Sequence, residues 1–267
     1  MLNKIPEENF LALRGPLESK RQGPHSLAGI FLLVILIQAL LLGLEHYIKE
    51  YSNYPFKEEV FYLHFWFSCI TIVLYIIYMI PGIYMKSQKI QYLLSIIASQ
   101  NIFGISFYIL SLIIIGTSII SNPDRLAYFT YLTISGAILI FIATSVRLYI
   151  LLKKGYYRKG SEKDKLRNKF EKKSLIPVAT VTGVLVVFMM QFLMKNVDMQ
   201  DFDVIIFSTI FVLLFYTMIF ILPEQLVILY CKFRFDSFNY EQNGDLKPVR
   251  DEDGTILTEM ELFIRNQ

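Results

Sequence analysis

Long apolar stretches separated by short charged segments dominate the pattern of this chain. Six stretches of about 18 residues or more carry almost no charged side chain. About 20 residues of helix cross the hydrocarbon core of a bilayer, and continuous rather than alternating apolar runs favour helices over strands. The sequence therefore predicts an all-α fold, a polytopic transmembrane helical bundle with about six spans. The predicted spans are residues 27–48, 60–84, 93–120, 127–152, 175–194 and 204–221.

Two of these stretches are interrupted. Pro81-Gly82 breaks the second stretch near its end, and the third carries the polar patch Ser99-Gln100-Asn101. The third stretch is therefore either one long span or an interfacial segment followed by a shorter span. Composition agrees with a membrane protein, because only 18% of the residues are charged, against about 25% in soluble chains.

The distribution of lysine and arginine predicts the orientation. If the N-terminus is cytoplasmic, 22 of the 26 basic residues lie on the cytoplasmic side of six spans. Basic residues near span ends favour that side, so we expect both ends inside, in the cell membrane. The predicted organisation is a cytoplasmic arm (1–26), a six-helix transmembrane region (27–231) with a basic loop (153–174), and an acidic cytoplasmic tail (232–267).

Three ionisable residues are predicted to lie near one end of the first two spans. Glu45 and His46 close the first span, and His64 lies about one turn into the second. Ionisable groups in a span mark functional sites, and a carboxylate with an imidazole can bind a metal or relay a proton. The alternative is that all three are interfacial residues. Glu45 and His46 are adjacent, so a helix points them in different directions.

Gln100 and Asn101 form the most polar cluster deeper in a span. They are predicted either to contact a substrate or ion, or to join helices by hydrogen bonds across the bundle. Gln38 and Gln191 allow the same two interpretations singly. Glu224, next to Pro223 at the end of the last span, is predicted to pair with Arg147 or with a loop lysine.

The basic loop is predicted to contact the anionic inner leaflet of the bilayer, at roughly 1 kcal/mol per basic residue near the surface. Membrane contact accounts for its charge, so no nucleic-acid partner is expected. The tail is predicted to be solvated or to form a small hairpin, with docking on the basic loop as the alternative. The loop residues expected to meet lipid are Lys153, Lys154, Arg158, Lys159, Lys172 and Lys173.

No phosphate loop, nucleophile elbow, zinc-protease pair or redox Cys-x-x-Cys occurs in the chain. We therefore expect neither an enzyme nor a bound cofactor or metal. A membrane-embedded enzyme would rest on Glu45, His46 and His64 alone.

Two flanking segments, LRGPLESKRQGPHSLA before the first span and PEQLVILYCKFRFDSFN after the last, resemble uncharacterised multi-pass proteins of staphylococci and related low-GC Gram-positive bacteria. Some of those proteins are associated with type VII secretion loci. The resemblance covers about 35 residues and transfers no functional residue. It implies an accessory or toxin-immunity role in the cell membrane, with a membrane protein or a toxin as partner. The alternative function is a small transporter or permease subunit that uses the polar residues of the bundle.

Overall fold

The described part of the chain is helical. Five of its helices are long and apolar enough to cross a membrane, which confirms the all-α prediction for this part. The predicted span 175–194 lies outside the described residues. The computed structural model describes residues 2–117, 122–162, 164–165, 202–250, 253 and 255–257.

Local sequence signals account for where the long helices begin. α1 (Pro24–Lys49) and α4 (Pro123–Lys153) both start with proline, whose missing N–H costs nothing in the first turn. Asn122 caps α4 by accepting a hydrogen bond from Asp124 N at 2.9 Å. The other long helices are α2 (Lys57–Ile77), α3 (Gln88–Ile115) and α5 (Phe202–Arg234).

The interruptions seen in the sequence have different outcomes. α2 ends at Ile77, before a short helix (Pro81–Tyr84) that proline starts. α3 is one continuous helix, so the patch at 99–101 does not divide it. Instead, its middle turns form a π-helix, Gln100–Ser106. α5 continues through Pro223 to Arg234, beyond the predicted end at residue 221.

α3 is the central helix of the bundle, with 67% of its most apolar window buried. It packs antiparallel to α5, as Ser111 Oγ donates to Ser208 O and Gln100 Nε2 donates to Met218 O. Its other side faces α1 and α2. The end of the bundle that holds the start of α1 is called the arm end below, and the opposite end the far end.

The outer faces of the helices are apolar. Exposed leucine, isoleucine, valine and aromatic side chains recur every three or four residues along α1, α2 and α4. A soluble protein does not leave such continuous apolar faces in water, so these faces suit contact with lipid. Examples are Leu32, Leu36 and Leu40 on α1, Leu63, Trp66, Ile70 and Val73 on α2, and Leu132, Leu139, Ile142 and Val146 on α4.

Three distant segments fold together at the arm end into a unit that we call the cap: residues 2–23, 154–162 and 235–250. The first segment contains a 3₁₀-helix, Glu7–Arg14, whose Phe10 and Leu13 are completely buried. Ala12 N donates to Tyr157 O at 2.8 Å, which joins the first segment to the second. Tyr240 Oη donates to Leu17 O at 2.7 Å, which joins the first segment to the third.

The described part of the tail is packed rather than solvated. Phe238 and Tyr240 are buried in the cap, which removes their aromatic rings from water. Burial raises the pKa of the Tyr240 hydroxyl. The tail contacts the first cap segment through Lys20 and Asp245, whose Nζ and Oδ1 lie 3.0 Å apart. In the described residues its hairpin character is limited to isolated antiparallel bridges, Tyr240 with Leu246 and Arg250 with Ile256.

At the far end, the α1–α2 connection lies directly on the end of α3. Asn53 N donates to Gly116 O at 2.7 Å, and Ser52 Oγ donates to Ile113 O at 2.7 Å. A Cβ on Gly116 would lie 2.2 Å from Ser52 Oγ and 2.7 Å from Tyr54 N. Glycine is therefore required there for the close approach of two backbones.

Candidate functional site

A buried polar network joins α1, α2 and α3 within the bundle. Each helix contributes two side chains at spacings that place them on one face: seven residues apart on α1, four on α2 and five across the π-helix of α3. All six residues are at least 97% buried. They are Gln38 and Glu45 of α1, His64 and Ser68 of α2, and Asn101 and Ser106 of α3.

The π-helix sends two neighbouring amides to opposite sides of α3. Asn101 faces α1 and α2, whereas Gln100 faces α5 and donates to Met218 O and to Gln225 Oε1 at 2.9 Å. Successive residues of a helix point in different directions, so the two predicted partners cannot serve one site. π-helical turns are frequent at functional sites.

Glu45 and His64 form the ionisable part of the network. His64 Nδ1 lies 2.8 Å from Glu45 Oε2, and His64 Nε2 lies 3.1 Å from Asn101 Oδ1. Asn101 Nδ2 donates to Gln38 Oε1 at 3.0 Å and to Ser68 Oγ at 3.1 Å. The imidazole is thus held between a carboxyl group and an amide whose own orientation is fixed by two further bonds.

The remaining bonds close the network on itself. Gln38 Nε2 donates to Ser68 Oγ at 3.2 Å and to Ser106 Oγ at 3.3 Å. Ser106 Oγ lies 3.4 Å from His64 Nε2. Amide, hydroxyl and imidazole groups therefore satisfy each other, as buried polar groups must in a bilayer.

This arrangement determines how many protons the pair holds. With Asn101 Nδ2 directed at Gln38 and Ser68, Asn101 Oδ1 faces His64 and can only accept, so His64 Nε2 carries a hydrogen. A second hydrogen lies between His64 Nδ1 and Glu45 Oε2. Whether that hydrogen belongs to the imidazole or to the carboxyl group, the pair has no net charge. A neutral pair is the state that a hydrocarbon environment tolerates.

Glu45 Oε1 is the exception, since it has no hydrogen-bond partner among the described residues although Glu45 is fully buried. Lys49 lies one helical turn after Glu45, on the same face of α1 and closer to the far end. Its Nζ lies 2.5 Å from Glu58 Oε2 and 4.7 Å from the centre of the Phe61 ring. The arrangement can hold and move a proton. In the described residues, no group of three His, Cys, Asp or Glu side chains could hold a metal ion.

Two other predicted residues lie elsewhere. His46 is on the exposed side of α1, against the Phe61 ring at 5.4 Å, and is not part of the network. Glu224 and Arg147 line one cavity of about 170 Å³ between α4 and α5 near the arm end.

The described part of the basic loop belongs to the cap, where it contacts the first cap segment. Arg158 Nε donates to Asn9 Oδ1 at 2.7 Å, and Lys159 Nζ lies 2.8 Å from Glu18 Oε2. Lys153, the last residue of α4, and Lys154, which follows it, are exposed, and their contact with lipid stays a prediction. Lys172 and Lys173, like Gln191, lie outside the described residues.

The sequence analysis missed Ser68 and Ser106 and considered Gln38 only singly. A signal was present, because Gln38 and Glu45 are two turns apart and His64 and Ser68 are one turn apart. Serine is so common in membrane helices that this spacing alone did not single them out.

No protein-family model, no curated protein and no solved structure matches the chain.

Proposed function

We propose that this protein is a multi-pass cell-membrane protein that acts through contact with another protein, as a secretion accessory or immunity factor, and not by catalysis. The observation that carries this proposal is the cap. Three segments that are distant in the sequence fold into one packed surface at the arm end, and long-range hydrogen bonds hold it. Such a surface suits protein recognition, whereas the polar groups in the bundle mostly satisfy one another.

The two segments that resemble staphylococcal proteins meet where this cap packs against the end of α5. Leu13 and Leu17 come from the first segment, and Ile228, Cys231 and Phe238 come from the second. All five belong to one buried cluster. The resemblance therefore involves one continuous region of the molecule, and that region is the one that we propose as the contact surface.

We also propose that the cap is cytoplasmic and that the chain crosses the membrane six times. Most of the basic residues lie in the segments at the arm end, as cytoplasmic segments usually do. α4 ends at Lys153 at the arm end, whereas α5 begins at Phe202 at the far end. The uncharged stretch 175–194 supplies the sixth crossing in this proposal.

Site-specific photo-crosslinking tests the contact role. A benzophenone amino acid is placed at Tyr156, an exposed tyrosine of the cap, and separately at Tyr51 at the far end and Tyr62 on the outer face of α2. After irradiation of intact cells, we expect one defined protein adduct from position 156 alone, identified by mass spectrometry. Adducts of equal yield from all three positions, or none from position 156, would contradict the proposal.

A second candidate function, a small transporter or permease subunit, is favoured by Glu45. Its unpartnered Oε1 and the proton shared with His64 are features expected of a proton-coupled site. In liposomes loaded with a pH-sensitive dye and given a membrane potential, this candidate predicts proton flux that Glu45→Gln abolishes and Gln100→Leu retains. Flux of the unaltered protein equal to that of empty liposomes would rule it out.

A further inference from the structure

A cleft of about 400 Å³ lies at the arm end, where the start of α3 meets the tail. Its walls come from residues 85–90, from the end of α5 and from the tail. It is separate from the polar network and from the basic loop.

The cleft is lined by three lysines from segments distant in the sequence. Lys86 lies two residues before α3, Lys89 lies in the first turn of α3, and Lys247 comes from the tail. One acid, Asp236, also lines the cleft, with a largely exposed carboxylate 3.9 Å from Lys247 Nζ. The first N–H groups of α3 have no acceptor within the helix and add partial positive charge. The cleft therefore favours an anionic group.

Hydrogen bonds hold the two walls together. Gln88 Nε2 donates to Tyr240 O at 2.9 Å, and Tyr240 N donates to Gln88 Oε1 at 2.8 Å. Lys232 Nζ donates to Phe238 O at 2.8 Å, which holds the segment between α5 and Phe238 in place. The three lysines are thus brought together before any ligand binds, which lowers the entropic cost of binding.

Asn239 supplies a second, independent indication of a ligand. It lines the cleft and is only 7% exposed. Its Nδ2 donates to Lys232 O at 2.9 Å and to Phe235 O at 3.1 Å, which sets the orientation of the amide. Its Oδ1 has no hydrogen-bond partner in the described part of the chain. A carbonyl oxygen can only accept, so the ligand that completes the site carries a donor such as a hydroxyl group.

The rim of the cleft is apolar. Phe233 and Ile90 both line it and are among the exposed large hydrophobic residues of the protein. Lys89 Nζ lies 5.3 Å from the centre of the Phe233 ring, so charge and apolar surface adjoin. These residues lie in the end turns of two helices that are long and apolar enough to cross a membrane.

We propose that this cleft binds the headgroup of an anionic phospholipid that carries a hydroxyl group, such as phosphatidylglycerol. The lysines hold the phosphodiester, Asn239 Oδ1 accepts from the headgroup hydroxyl, and the apolar rim covers the first part of an acyl chain. Anionic lipids are enriched in the cytoplasmic leaflet, which the proposed orientation places at the arm end. The site depends on membrane embedding and not on the contact role or on transport.

Native mass spectrometry of the full chain released from nanodiscs tests this site. We expect Lys86→Ala/Lys89→Ala/Lys247→Ala to weaken phosphatidylglycerol retention about a hundredfold, since each lysine contributes about a factor of five at the membrane surface. The matched control is Lys153→Ala/Lys154→Ala/Lys165→Ala, which removes the same charge from exposed loop positions and should change retention less than threefold. Equal losses in the two triple variants would overturn a specific site.

Further variants and lipids distinguish loss of the site from loss of folding. The triple arginine variant at 86, 89 and 247 should retain the lipid. The unaltered protein should prefer phosphatidylglycerol to phosphatidylmethanol, which has the same phosphodiester but no hydroxyl group. Equal retention of these two lipids would overturn the role of Asn239. Soluble glycerophosphoglycerol at millimolar concentration should not displace the lipid, and displacement would show that the site takes the free headgroup instead.

Discussion

Replacing His64 with leucine is expected to lower the free energy of unfolding by about 3–5 kcal/mol. The substitution leaves the fully buried carboxyl group of Glu45 without its imidazole partner, and removing one partner of a buried pair costs this much. It also leaves Asn101 Oδ1 without a donor. The unfolding of purified protein in bicelles, followed by circular dichroism during titration with a denaturing detergent, measures the effect.

A double-mutant cycle separates the pair from general loss of packing. Glu45→Leu/His64→Leu removes both polar groups, so its loss should be at least 2 kcal/mol smaller than the sum of the two single losses. Glu45→Gln should cost only about 1 kcal/mol, because an amide can still bond to the imidazole and single bonds between membrane helices are worth about 0.6 kcal/mol. If the two single losses simply add in the double variant, Glu45 and His64 are not an energetic pair.

Replacing Phe10 with alanine is expected to lower the free energy of unfolding of the cap by about 3–5 kcal/mol. Phe10 is fully buried, and its ring centre lies 5.8 Å from that of Phe235 and 6.5 Å from that of Tyr230. Truncating a buried phenylalanine removes transfer free energy and leaves a cavity. Because Phe10 belongs to the buried cluster that joins the first cap segment to α5, the cap should open locally. Trypsin cleavage near Lys20 should then be at least a hundredfold faster.

The control for this prediction is Phe220→Ala on α5, the helix against which Phe10 packs. Phe220 is more than half exposed, so its truncation should change the free energy of unfolding by less than about 1 kcal/mol. The rate of trypsin cleavage near Lys20 should stay the same. Unchanged cleavage in Phe10→Ala would mean that Phe10 does not hold the first cap segment in place. The crosslink from Tyr156 should disappear together with the cap, which links this prediction to the proposed function.

The helices follow the apolar stretches closely, but their ends do not. α1 and α4 extend only a few residues beyond the predicted spans, because proline marks both starts. α3 begins five residues before the predicted residue 93 because its first turns bury a polar face, where Gln91 Nε2 donates to Pro24 O at 2.8 Å. α5 runs into the cap, where packing outweighs the local cost of Pro223. Hydropathy measures contact with lipid, so it does not report where a helix continues into protein.

The polar network could likewise be predicted from the sequence only in part. Glu45, His64 and Asn101 could be selected from the sequence because ionisable and amide groups in a span are rare. Which of two adjacent residues faces inward, Glu45 or His46 and Asn101 or Gln100, depended on helix rotation. The π-helix at 100–106 changes that rotation locally, and no residue type in the segment predicts a π-helix.

The sequence by itself determined that the chain is helical, which segments are long and apolar enough to cross a bilayer, and which polar residues lie in them, because these properties depend on local composition and on the length of a helix. Only the tertiary structure decided that Glu45, His64 and Asn101 meet, that the first and last segments form one cap, and that three lysines line one cleft together with Asn239. Each of these depends on contacts between residues far apart in the chain. Such contacts arise from the packing of whole helices, and helix packing has no signature within any single segment.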